Sequence, residues 1–131
     1  MHPIASLQAA LVTVLDADAT LTALIGAGGV FDAPPRDRPV PYVVIDRHDM
    51  RQHDGDASPG QEHRLLLHCW SDQPSRRAAL DIAERVIAVA LAGIVPAGLT
   101  VTHGEHIRTE TGVDTATGQA RAAVTLRFFS E

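Results

Sequence analysis

Gln61-Glu62-His63-Arg64-Leu65-Leu66-Leu67-His68-Cys69-Trp70-Ser71-Asp72 reads as a strand that runs straight into a helix. The apolar run Leu65 to Leu67 continues into Cys69 and Trp70, so both faces are at least partly covered and the strand belongs in the middle of a sheet. Asp72-Gln73-Pro74-Ser75 then makes the turn, with Ser75 as the cap of the following helix. The corner between them holds no glycine-rich phosphate loop, no nucleophile turn and no metal-spaced cysteine pair. A binding or assembly module fits this corner better than an enzyme.

Working outward, the next helix spans about Arg76 to Leu91, with Ala79, Ile82, Ala83, Val86, Val89 and Ala90 on one stripe. Gly93, Pro96 and Gly98 stop it. Upstream, Ile4 to Ile25 has apolar residues at helical spacing, with a stop or bend expected at Asp16-Ala17-Asp18, a second short turn over Ala19 to Ile25 and an end at Gly26 to Gly29. Val30-Phe31-Asp32 is a candidate short strand. Ala33 to Pro41 holds four prolines in nine residues and is an extended connector. Tyr42 to His48 is a second strand. Asp49 to Gly60 is polar and reads as a long mobile loop, which such lengths reserve for a partner contact. Leu99 to His103, extending toward Ile107, is the third strand; Arg108 to Gln119 is a strand end and turn; Ala122 to Phe129 closes the sheet. The expected class is α+β: one mostly antiparallel sheet of about four main strands packed by two helices, in the order α-β-β-α-β-β.

Composition bounds the function. A chain of 131 residues predicts one domain over 1–131 with a core that needs no disulfide. Aromatics are only 4% of residues, so Leu, Val, Ile and Ala must fill that core. The formal charge is −5 and its basic residues are scattered arginines, with no lysine, which is not the footprint of a duplex binder. Cys69 is alone and reads as a buried inert thiol. No stretch suits a secretion signal or a membrane span. The expectation is a soluble protein made in the cytoplasm.

Seven histidines invite a metal reading, since His48, His53, His63 and His68 gather on one hairpin near Asp46, Asp49, Asp54 and Asp56. They alternate between faces or sit in the loop, so no metal, cofactor or catalytic residue is assigned. Asp54-Gly55-Asp56 lacks the remaining ligands of a calcium loop. The candidate contacts with other subunits or partners are Arg47, Met50, Arg51 and His53 around the loop, Trp70 at the end of its strand, and Arg121 and Arg127 on the polar face of the last strand.

Leu7-Gln8-Ala9-Ala10-Leu11, Val30-Phe31-Asp32 before the proline connector, and Pro41-Tyr42-Val43-Val44 form an ordered pattern. It continues through Gln61-Glu62-His63, Leu67-His68-Cys69-Trp70-Ser71, the alanine-rich helix and the closing Arg127-Phe128-Phe129-Ser130-Glu131. In that order the chain resembles small phage tail-completion or tail-terminator proteins, also found in gene transfer agents and prophages. Arg121-Ala122 departs from the His-Gly expected before the last strand, which leaves that hairpin's register open. The resemblance implies no chemistry. It implies a ring, a hexamer, that caps the head-proximal end of a tail tube and meets a head-side stopper or connector, with DNA passing through without specific binding. Such a protein is assembled in the host cytoplasm and ends in the particle. The alternatives are a head-side connector or stopper, or a small α+β enzyme or ligand-binding domain using the histidine-rich hairpin.

Overall fold

The computed structural model describes residues 1–54 and 59–131. Helix α1 (Pro3–Asp16) begins where Pro3 presets the first turn and the His2 ring accepts the Ile4 N–H at 3.1 Å. Leu7, Leu11 and Leu15 recur every four residues and are fully buried, so one stripe of the helix faces the core. Helix α2 (Ala19–Ile25) follows at 83° to it and is capped by Asp18, whose carboxylate accepts the Leu21 N–H at 2.9 Å. Gly26, at φ 86°, ends it. Of the stop or bend expected at Asp16 to Asp18, the structure shows the stop, and the second turn over Ala19 to Ile25 is a separate helix. No single helix among the described residues is long and apolar enough to cross a membrane.

Five strands form one sheet in the order β1-β2-β3-β5-β4: β1 (Val30–Phe31), β2 (Tyr42–Gln52), β3 (Gln61–Trp70), β4 (Val101–Val113) and β5 (Ala120–Ser130). Only β1 pairs in parallel, with β2; the other neighbours are antiparallel. The sheet is therefore mostly antiparallel and the class is α+β. Two details differ from the expectation: Val30–Phe31 is a fifth strand, and the helices number three. Strand β3 lies at the centre, as its apolar run required.

Helix α3 (Arg76–Leu91) starts at Ser75, whose hydroxyl accepts the Ala78 N–H at 3.3 Å. Its stripe packs with Leu65, Leu67, Cys69, Ala122, Val124, Leu126 and Phe128 into one core shared with α1 and α2. Burial drives the Cys69 thiol up to about 12, so it stays protonated. Asp18 does a second job here: Arg85 forks onto both of its oxygens at 2.7 and 2.8 Å, tying the start of α2 to α3. That guanidinium, with the Leu21 N–H, pulls the Asp18 carboxyl down to about 2.

Two strands outrun their sequence signals. Strand β2 continues through Gln52, so Asp49 to Gln52, expected in the loop, is ladder; β4 continues to Val113. Strand β2 carries a register shift between Ile45 and Arg47, and β4 carries two, between Val101 and His103 and between His106 and Arg108. Of the rest of the expected 49–60 loop, residues 55–58, which include Gly55 and Asp56 of Asp54-Gly55-Asp56, lie outside the described residues. The last hairpin's register is set by Val113 opposite Ala120 and Gly112 opposite Arg121.

Candidate interface

The three helices share one side of the sheet, and the pleat assigns every strand residue to that side or the other. On β3 the helix side takes His63, Leu65, Leu67 and Cys69; the open side takes Glu62, Arg64, Leu66, His68 and Trp70. The register carries this across the ladder. Arg51, Glu62, Phe129 and His103 form one row, and Asp49, Arg64, Arg127 and Glu105 the next. Arg47, Leu66, Thr125 and Arg108 follow, then Val44, His68, Ala123 and Glu110, and last Tyr42, Trp70, Arg121 and Gly112.

Six of the eleven basic residues therefore stand on this open face: Arg47, Arg51, Arg64, Arg108, Arg121 and Arg127. Against them are Asp49, Glu62, Glu105 and Glu110, with Asp46 at the bulge, so the face is +1 and the rest of the chain, five basic against eleven acidic, is −6. Glu62 is the hub. Its side chain is only 7% exposed, and it accepts from Arg51 Nε at 2.8 Å with Arg127 and Arg64 at 3.7 and 3.9 Å. Chiefly the Arg51 hydrogen bond, helped by the other guanidiniums, holds its carboxyl below the ordinary value. Arg127 also pairs with Glu105, which is lowered in turn, and Arg108 pairs with Glu110 at 2.6 Å.

Each end of the face is aromatic. At one, Arg127 lies 5.4 Å over the Phe129 ring, with His53 and His103 against the same ring at 4.9 and 6.2 Å. At the other, Arg121 lies 5.7 Å over Trp70, beside a hollow lined by Gly112, Val113 and Asp114. Of the candidates read from sequence, Arg47, Arg51, Trp70, Arg121 and Arg127 share the open face and His53 borders it. Met50 does not: it pairs with His63 and lies on the helix side. The residues the sequence reading passed over are Glu62, Arg64, Glu105 and Arg108. For Glu62 and Arg64 the signal was the period of two in Glu62, Arg64, His68 and Trp70.

The histidines divide between the two faces of the sheet. His68 faces out, 3.7 Å from Asp46, whereas His48 and His63 meet on the helix side at 2.8 Å. They belong to a chain of side chains from Gln8 through His48, His63 and Ser130 to Gln61, at 3.2, 2.8, 3.0 and 2.9 Å. Ser130 gives its proton to Gln61 Oε1, so its oxygen must accept from His63 Nε2–H. His63 Nδ1 then accepts from His48 Nε2–H, and His48 Nδ1 from the Gln8 amide. Both rings are neutral and satisfied. Burial, above all, lowers both, His48 to about 4; the nearby His63 adds to the shift of His48, and His2 adds to both. Among the described residues no three His, Cys, Asp or Glu side chains converge as metal ligands. A groove between α1 and residues 93–97 holds about 440 Å³ and is lined by no titratable side chain.

The sequence relationships bear on this architecture directly. Residues 9–131 match the family model described as tail completion protein gp17. The chain belongs to that family. Tail completion proteins of this family serve phage tail assembly in a structural role. In structure the chain is similar to a chain from the virion of a native gene transfer agent (GTA) particle, at 26% identity and TM-score 0.85 over 100% of this chain and 99% of that one. It also shares its fold with the bacteriophage SPP1 gp17 protein, at 22% identity and TM-score 0.60 over 95% and 88% of the two chains. Among curated proteins nothing matches.

Proposed function

We propose that this tail completion protein forms a closed ring, a hexamer, on the head-proximal end of a tail tube. There it stops tube growth and offers its other face to a head-side stopper or connector. The observation that carries the reading is the match along the whole of both chains to a component of a gene transfer agent virion, together with the family match over residues 9–131. The role is assembly without catalysis: the hydrogen-bonded pair His48 and His63 is closed into a neutral, satisfied chain, and its serine is only 3% exposed and donates to Gln61. DNA crosses the ring without specific contacts, in keeping with a surface whose net charge is −5 per chain. The protein is assembled in the host cytoplasm and retained in the particle.

Light scattering on the purified protein over a concentration series tests the ring. The expected result is a mass of about six chains, or a monomer that converts to that mass when tail tubes are added. A monomer that stays monomeric with tubes present contradicts it.

A further inference from the structure

A closed ring of identical subunits needs two different patches that fit each other, because a patch that fits only itself stops at a dimer. Resting on the ring reading above, we infer that one of these patches is the open sheet face, with the Trp70–Arg121 corner as its anchor, and that its occupant is a carboxylate-bearing surface on the next copy of this chain.

Three observations lead there. First, Arg121 is held and idle. Its guanidinium rests on the Trp70 ring, its Nε is buried with no acceptor, and no carboxylate among the described residues pairs with it. Asp114, beside it, spends a carboxylate oxygen on the Ala116 and Thr117 N–H groups of its own turn. A planar fork fixed on an indole has already lost its rotamer freedom, so a carboxylate that docks there meets a preorganised receptor. Second, the hollow of about 210 Å³ lined by Trp70, Gly112, Val113, Asp114 and Arg121 has room for such a side chain. Tryptophan and arginine around a hollow are the composition of an interface hot spot. Third, charge selects the occupant. The open face is +1 while the remainder of the same chain is −6, so face against face pairs like with like, and face against the rest of a second copy pairs opposites. Four strands about 4.8 Å apart and ten residues of about 3.3 Å make a face of roughly 600 Å², close to the roughly 800 Å² each partner gives a stable interface.

Nucleic acid is the poorer occupant. Arg51, Arg64, Arg108 and Arg127 are each engaged with Glu62, Glu105 or Glu110, which leaves few free cations for phosphates.

The test compares wild type, Arg121→Glu, Trp70→Ala and the exposed Arg47→Glu by sedimentation, alone and with purified tail tubes, with circular dichroism as the check on folding. Wild-type rings together with variants that need roughly thirtyfold higher concentration to associate, the size of a hot-spot loss, support the inference. Weakening of wild-type rings between about 0.1 M and 1 M salt, where the screening length falls from roughly 10 to 3 Å, supports it too. Should Arg121→Glu or Trp70→Ala fail to fold, Arg47→Glu carries the comparison, because its side chain lies outside the core. Variants that form rings like wild type overturn the surface and leave the ring standing. A wild type that never associates, even on tubes, overturns both. Anisotropy with a short DNA duplex supplies the last arm: loss of duplex binding in the variants with ring formation intact assigns the face to phosphates instead.

Discussion

His63 is fully buried between His48 and Ser130, and its neutrality has a consequence for acid stability. Protonating either ring turns two N–H groups toward each other in a site that burial already makes hostile to charge. The folded values of His48 and His63 lie below the ordinary 6.5, so on acidification the unfolded chain takes up these protons first. Stability is therefore full above about pH 6.5 and falls as the pH drops toward about 4, where His48 charges in the folded state too. For His48 alone the loss is roughly 3 kcal/mol. Below that window the carboxyls of Asp18, Glu62 and Glu105, all lowered in the fold, add their own loss in the same direction. Urea unfolding at a series of pH values checks this: the slope between pH 6.5 and 4 is positive in wild type and flatter in His48→Gln. A wild-type curve flat across that range contradicts the neutral chain. Gly104 gives a second test. A Cβ there would sit 2.8 Å from the ring of Phe128, itself 1% exposed, and 3.3 Å from Leu91. Gly104→Ala is expected to cost about 1–3 kcal/mol through overpacking. Gly112→Ala, with nothing within 4 Å of its Cβ, stays within about 0.5 kcal/mol. Urea midpoints at unchanged slope read both.

Among the elements, those with local signals were legible. The corner from β3 through Ser75 into α3 could be read because an apolar run, a proline turn, a cap and a helical stripe all agree. The far half of β2, Asp49-Met50-Arg51-Gln52, and the far half of β4 were not, because their residues have little strand preference and are held by pairing with β3 and β5. The interface residues could be named one by one, but not assembled. Val43 and Ile45 face the helices, so simple alternation would turn Arg47 and Arg51 to that side as well. The extra residue between Ile45 and Arg47 reverses the parity and sends Arg47, Asp49 and Arg51 outward. It sends His48 and Met50 inward by the same step, which is why Met50 leaves the group. The shift between His106 and Arg108 does the same for Arg108 and Glu110. A bulge of this kind leaves no mark in a single sequence. Asp18 tests the helical layer: it caps α2 and grips Arg85 of α3. Asp18→Asn keeps the cap and loses the charge, so it is expected to lower Tm less than Asp18→Ala. In the Asp18→Ala variant the α2 amides exchange faster than those of α3; equal protection in both variants contradicts the joint role.

At the scale of the whole molecule, the sheet divides two kinds of surface: a helix-bearing side that holds the core, and an open side that gathers six arginines and two aromatic ends. The proposed ring needs two unlike surfaces on each subunit, and this division offers them. Tube capping by a ring is tested most directly by electron microscopy of tail tubes polymerised from purified tube subunits with and without this protein. Shorter tubes are expected in its presence, each bearing a six-fold ring at one end only and none along the shaft. Tubes of unchanged length with bare ends, or protein spread along their sides, would contradict it.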